Sequence, residues 1–497
     1  MESVGINMIS SQLKGDTGQE KTERNLLDFL TRCRRHNIYV NAFLKPANPF
    51  MFDEERVKSL IIDGELIHIP TIFAYDVCWE PGNYIFNQDG RKKFDKRWRA
   101  WIAERYSSIE NAIADWKFAP NRDSNGDVVS PTDAQLKTDG AWRIYVAAYR
   151  RFMDDVTSRI WNDASQKLRS YAPKQLFSFR QGNTLPHDFA LTGPVKHLDF
   201  ICPEGYSIPL SEDGYNAAGF LTRFVHHTMG GKPIIWAEFG RHVWNPRAQD
   251  VSPSAMDSSV KYHELFYRMA VDSGANGTAP WWWPGWYRVN ERSDYGIANP
   301  DGTPRQQAKL LLTYGPKLKT PRHFPQGDIP FLYDRDAHAG GYWHITFNSG
   351  RDAYKAARAQ KRHLDVRTEA TGKTSADVPL TAVGNVPYNG SNPPKYLNAE
   401  FNWVKTEVVD GKLHVMASVG NLTEPLWLAG KSDTPQTGDV VLLADGRPVA
   451  KLSKDTPRFA DAIFDFTMPM PASKEISLRL SAYNRAEFGE IYRLVAE

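Results

Sequence analysis

Between residues 4 and 314, short apolar and β-branched runs alternate with amphipathic helical patterns, and few folds accept that alternation. Residues 4–10, 37–44, 69–79, 175–179 and 197–202 read as strands, the run 69–79 from its apolar and β-branched content, and 234–237 is too short for an ordinary helix and reads as a buried strand. Between them, residues 22–36 place Leu26, Leu27, Leu30 and Cys33 on one helical face, and helical patterns recur near 53–62, 216–228 and 258–273. Strand, helix, strand in repetition is what a parallel sheet with crossover helices requires. The rhythm breaks at about 84–170, where long helical patterns carry Phe94, Trp98 and Trp101, then Trp142, Tyr145, Tyr149 and Phe152. Thr303 and Pro304 offer a helix start for residues 306–314, which Gly315 and Pro316 are expected to close.

Beyond a proline-rich connector at 316–330 the texture changes. Residues 413–419, 440–452 around the Asp445–Gly446 turn, 462–468, 476–482 and 491–495 read as strands of an antiparallel sandwich, while the polar stretch 350–394 indicates no element. The expected fold class is α/β: a (β/α)8 TIM-type barrel over 1–323 with a helical insertion at about 84–170, then a C-terminal antiparallel β-sandwich over 324–497. The strand count before the connector is about seven rather than eight. Either the barrel lacks its first strand, with a segment lost ahead of Met1 or Met1 an internal start, or the sheet is a less regular α/β one.

Composition narrows the partner. Positive and negative charges nearly cancel at +3 over 497 residues, and no long basic run or zinc-finger spacing points to nucleic acid. With 15 Trp and 21 Tyr, the chain is rich in flat side chains that stack on sugar rings, although most must be core. Cys33, Cys78 and Cys202 lie too far apart for a paired framework and read as small core residues. No stretch approaches the apolar length that spans a bilayer, and residues 1–20 lack a signal-peptide pattern, so the chain reads as soluble with its compartment open. His226 and His227 are adjacent rather than spaced i, i+4, His242 has no companion, and Gly230–Gly231 forms no phosphate loop; no metal or cofactor is expected.

Two of the strand candidates end on a carboxylate: IFAYDVCWEPG reaches Glu80, and KPIIWAEFG reaches Glu238. Parallel α/β folds carry their active sites at that end of the strands. Retaining glycosidases need two carboxyl groups about 5–5.5 Å apart, and groups so close must come from different strands. WEPG and KPIIWAEFG resemble the ends of the fourth and seventh strands of clan A glycoside hydrolases, retaining (β/α)8 enzymes. FDKRWRAWIAERYSSIENAIADW, residues 94–116, is similar to the segment after the acid/base in family 42 β-galactosidases, and the layout also resembles family 5-like enzymes. The resemblance implies Glu80 as acid/base and Glu238 as nucleophile. Trp79 departs from it, standing where the clan has an Asn that bonds the sugar 2-hydroxyl; indole has one donor and no acceptor.

Around this pair the substrate-binding candidates are Trp79, Arg180, Gln181, Glu204, Tyr206, Trp244, Trp281, Trp283 and Trp286. By resemblance, Tyr206 would hydrogen-bond the nucleophile; a core or loop tyrosine is the alternative. Glu204 is an extra carboxylate at the same rim, in reserve for either catalytic role. Arg180 and Gln181 either donate to the ligand or form a surface salt bridge. A period of two puts Trp281 and Trp283 on one face, where one would floor the pocket. The reading is a retaining β-glycosidase acting on an oligo- or polysaccharide, with homo-oligomerisation left open. The rivals are a non-catalytic carbohydrate-binding barrel and a structural or assembly protein with an aromatic interaction surface.

Overall fold

The computed structural model describes residues 1–12, 20–80, 88–116, 118–137, 142–181, 198–206, 208–320, 323–332, 345–367, 399–421, 427–430, 432–435, 439–456, 460–471, 475–483 and 486–495. The chain divides into two compact units: Met1–Phe86 with Val156–Phe331 and Tyr342–Val366, and Asn87–Asp155 with Leu332–Gly341 and Arg367–Glu497.

In the first unit, β1 (Met8–Gln12), β2 (Tyr39–Phe43), β3 (Ile72–Trp79), β4 (Leu176–Gln181) and β5 (Phe200–Pro203) form one sheet in sequence order, every pairing parallel. An isolated parallel bridge from Ile201 to Ile234 leads on to β6 (Ile235–Ala237). A short antiparallel pair, β7 (Trp244–Asn245) and β8 (Asp250–Val251), follows in sequence. Then β9 (Gly277–Ala279) pairs in parallel with β6. β3 is buried over most of its length, which is why its sequence runs apolar rather than alternating. The register shifts between β3 and β4 from Asp76 to Trp79, a bulge that re-aims the strand's last residues.

The crossovers have conventional ends. Ser211 Oγ accepts from the Gly214 N–H at 3.1 Å to cap Glu212–Thr228, and Ser252 caps Pro253–Ser273, which carries a first-turn proline and stops at Gly274. The expected helix over 306–314 is instead two pieces, Gln306–Lys309 and Leu311–Lys319, and Pro316 lies inside the second. Pro316 has no N–H to give, so the helix runs through it with one backbone bond fewer. β10 (Ile329–Leu332) and β11 (Leu364–Arg367) form a two-stranded sheet, and Ser349–Ala359 is a helix. The polar stretch 350–394 therefore begins in ordered structure, and its residues beyond 367 lie outside the described ones. Cys33, Cys78 and Cys202 are all buried and unpaired with one another.

The second unit explains where many of the tryptophans go. Trp98, on the helix Asp95–Tyr106, stacks on Trp101 at 5.3 Å and on Trp116 at 5.7 Å, with Tyr145, Tyr149 and Phe152 around it. The same unit holds two antiparallel sheets. β12 (Ala399–Val409), β13 (Lys412–Asn421) and β16 (Asp461–Pro469) make one; β14 (Val440–Ala444), β15 (Arg447–Lys451), β17 (Glu475–Ala482) and β18 (Ala486–Val495) make the other. Val415, Val419 and Phe464 from the first share one core with Leu442, Leu478 and Leu480 from the second. The β14–β15 hairpin turns on Asp445 and Gly446, both at positive φ as a two-residue turn of this kind requires.

Candidate active site

Three strands of the first unit deliver a glutamate to one place. Glu80 follows β3, Glu204 follows β5 and Glu238 follows β6, and one carboxyl oxygen of each lies within 4.8 Å of the other two. Glu80 and Glu238 both hold left-handed backbone, φ 50° and 51°, which costs a residue with a Cβ on the order of 1–3 kcal/mol. Neighbouring strands hold them there: the Glu80 N–H donates to the Arg180 carbonyl at 3.2 Å, and the Glu238 N–H to the Ala279 carbonyl at 2.8 Å. The Glu238 carbonyl in turn accepts from the Gly205 N–H at 3.0 Å. A Cβ on Gly205 would meet the Phe266 ring at 2.3 Å, so this close approach needs glycine.

Arg180 is the centre of the electrostatics. Its guanidinium is buried, donates to Glu238 and to Ser10 Oγ, and forms an ion pair with Asp76 at 3.2 Å. The guanidinium carbon lies over the Trp79 ring, 3.9 Å from its centroid. A surface salt bridge was one alternative for this residue; the ion pairs are buried instead, because the side chain turns inward from β4. Tyr206 Oη donates to the other Glu238 oxygen at 3.2 Å. Burial pushes the Glu238 carboxyl up, against the opposing pull of Arg180 and the Tyr206 hydrogen bond. Burial likewise raises Asp76 to about 6, with Arg180 holding it down. Glu204 is pushed well above the carboxylate range, first by burial and then by the charges of Glu238 and Glu80. Oxygen ligands at this spacing would suit a hard divalent cation as well as an acid/base set, although the sequence carries no metal-binding spacing.

The tryptophans divide. β9 ends at Ala279, before Pro280, so Trp281–Trp283 are not strand residues and the alternation expected of them does not hold. Trp281 and Trp282 stack on each other at 5.0 Å across a cis peptide, with Arg288 over both rings. Trp281 also meets Trp79 edge to face at 6.0 Å. Trp281, Trp282 and Trp283, with Arg180 and Glu238, line a cavity of about 900 Å³ together with apolar residues that include Ile6, Met8, Phe73 and Ile235. Trp244 packs on Tyr287 at 5.0 Å, and Trp286 is half exposed beside Trp282. Gln181 closes β4, but its side chain lies outside the described residues, as do Pro81 and Gly82. Asp76 and Ser10 were not singled out from the sequence. For Asp76 the signal was present: an aspartate inside the run IFAYDVCW must find a cation or stay protonated.

No protein-family model matches the chain, and no curated protein matches it. Solved structures do. The β-galactosidase of Rahnella sp. R3 superposes with a TM-score of 0.55 at 13% identity, covering 100% of this chain and 82% of that one. The β-galactosidase of the haloarchaeon Halorubrum lacusprofundi gives 0.54 at 13% identity over 94% and 84%, and that of Bacillus circulans sp. alkalophilus gives 0.52 at 14% over 99% and 82%. The fold is shared with β-galactosidases. At such identity the likeness concerns the fold alone. Among the described residues no helix is long and apolar enough to cross a membrane.

Proposed function

We propose that the protein is a retaining β-glycoside hydrolase that cleaves an oligo- or polysaccharide by double displacement in a clan A (β/α)8 barrel. The observation that carries this reading is the spacing of Glu80 and Glu238, whose nearest carboxyl oxygens lie within 4.8 Å. Retention needs about 5–5.5 Å, whereas inversion leaves room for a water at about 6.5–9.5 Å. Glu238, held by Arg180 and Tyr206, is the nucleophile. Glu80, less buried than its two partners, protonates the leaving oxygen and then activates water to release the sugar. Trp79, Trp281 and Trp283 line the bound sugar, Tyr206 adds a polar contact, and Trp244 and Trp286 extend the platform outward. Residues 1–323 form the catalytic module in this reading, with the sandwich over 324–497 non-catalytic.

The names of the structural neighbours make aryl β-galactosides the first substrates to test. Glu238→Gln is expected to lose several orders of magnitude in turnover, and proton NMR of the parent reaction should show the β-anomer first. A Gln variant as fast as the parent, or an α-anomer formed first, would overturn the assignment. A non-catalytic carbohydrate-binding protein would bind the sugar in both forms and turn over neither.

A further inference from the structure

Glu204 is fully buried, and among the described residues neither of its carboxyl oxygens has a hydrogen-bond partner. Buried polar groups in that condition are rare and call for an occupant or a proton. The oxygens of Glu80, Glu204 and Glu238 mark a triangle no more than 4.8 Å on a side, so an atom at its centre sits within about 2.8 Å of each corner, a hydrogen-bond distance. Three ionised carboxylates would offer that atom acceptors only, and a hydroxyl has one hydrogen to give.

The charges facing Glu204 decide which of the three holds a proton. Glu80 and Asp76 face it from β3 and its end, Glu238 from the end of β6, and Cys202 and Tyr206 lie on its own strand and loop. The nearby cation is Arg180 on β4, and its guanidinium is engaged by Asp76, Glu238 and Ser10. Like charges this close do not all ionise. Glu238 has two donors in place, and Glu80 is the most open to water, which leaves Glu204 as the group most costly to ionise.

We propose that Glu204 stands in the resting site as a neutral carboxylic acid and contacts the ligand directly: its O–H donates to a ligand oxygen seated between Glu80 and Glu238. The site thereby takes a hydroxyl group rather than a cation. The sugar as the source of that hydroxyl rests on the glycosidase reading; the proton on Glu204 does not.

The test uses the full chain. A difference infrared spectrum of parent against Glu204→Gln at neutral pH should contain the carbonyl stretch of a protonated carboxyl group, and its absence overturns the proposal whether or not the protein is a glycosidase. On an aryl β-glycoside, Glu204→Gln, neutral and still a donor, should keep kcat/KM within about tenfold of the parent at neutral pH. It should also hold its rate on the alkaline side, where the parent loses activity as Glu204 ionises. Glu204→Leu should lose roughly a hundredfold. An alkaline limb unmoved by Glu204→Gln, or a Gln variant as impaired as the Leu variant, overturns the proposal. So does stoichiometric binding of calcium or manganese to the parent in calorimetry that Glu204→Gln abolishes.

Discussion

Replacing Arg180 by methionine removes the guanidinium that Asp76 and Glu238 share while leaving both carboxyls buried. The expected loss is about 3–5 kcal/mol, read from denaturant unfolding of variant and parent; a loss under about 1 kcal/mol would contradict the buried ion pairs. The sequence disclosed this residue only in part. Glu80 and Glu238 were legible because each terminates an apolar run, a pattern that packing alone does not call for. An arginine near the end of a strand reads the same whether it turns out to solvent or in to the sheet. Only its partners distinguish the two, and they come from strands 104 residues before it, in the case of Asp76, and 58 after, in the case of Glu238.

At the level of elements, the ends of β3 and β6 are unusual in the same way, each passing directly into a left-handed glutamate. Glu80→Gly should leave unfolding stability within about 1 kcal/mol of the parent, since glycine accepts positive φ and its extra unfolded-state entropy offsets the relief. Glu80→Val should cost more, on the order of 1–3 kcal/mol, because a β-branched residue is an outlier there. Equal stabilities for the two variants would refute this backbone conformation; neither should retain activity in the proposed reaction. Strands and helices were mostly readable to within a few residues, because period and caps are local. Local signals mislead at Pro316, which lies inside Leu311–Lys319 rather than after its end, and at Trp281–Trp283, which lie beyond the end of β9.

For the molecule as a whole, acid stability should follow its buried histidines. His263 is fully buried among Phe239, Tyr262 and Tyr267, with Nδ1 donating to the Ser259 carbonyl at 2.8 Å, and burial lowers it to about 4; His226 and His227 are lowered to about 4 for the same reason. Because the folded value lies below the unfolded one of about 6.5, the unfolded chain binds more protons between them, and stability is lost as pH falls through that window. Asp76, raised to about 6, works in the opposite sense, weakening the fold as pH rises from the ordinary carboxylate range through 6. The parent should therefore lose on the order of 3 kcal/mol relative to His263→Leu between pH 7 and pH 4 in denaturant unfolding. A constant difference across that range would show that His263 does not resist protonation.

Arg180 has one more consequence. From β4 it touches Ser10 on β1, Asp76 on β3 and Glu238 past β6, and its own carbonyl receives the Glu80 N–H. A recombination crossover in any loop between residues 12 and 235 would separate some of these partners, so in a chimera this site is inherited as one block or not at all.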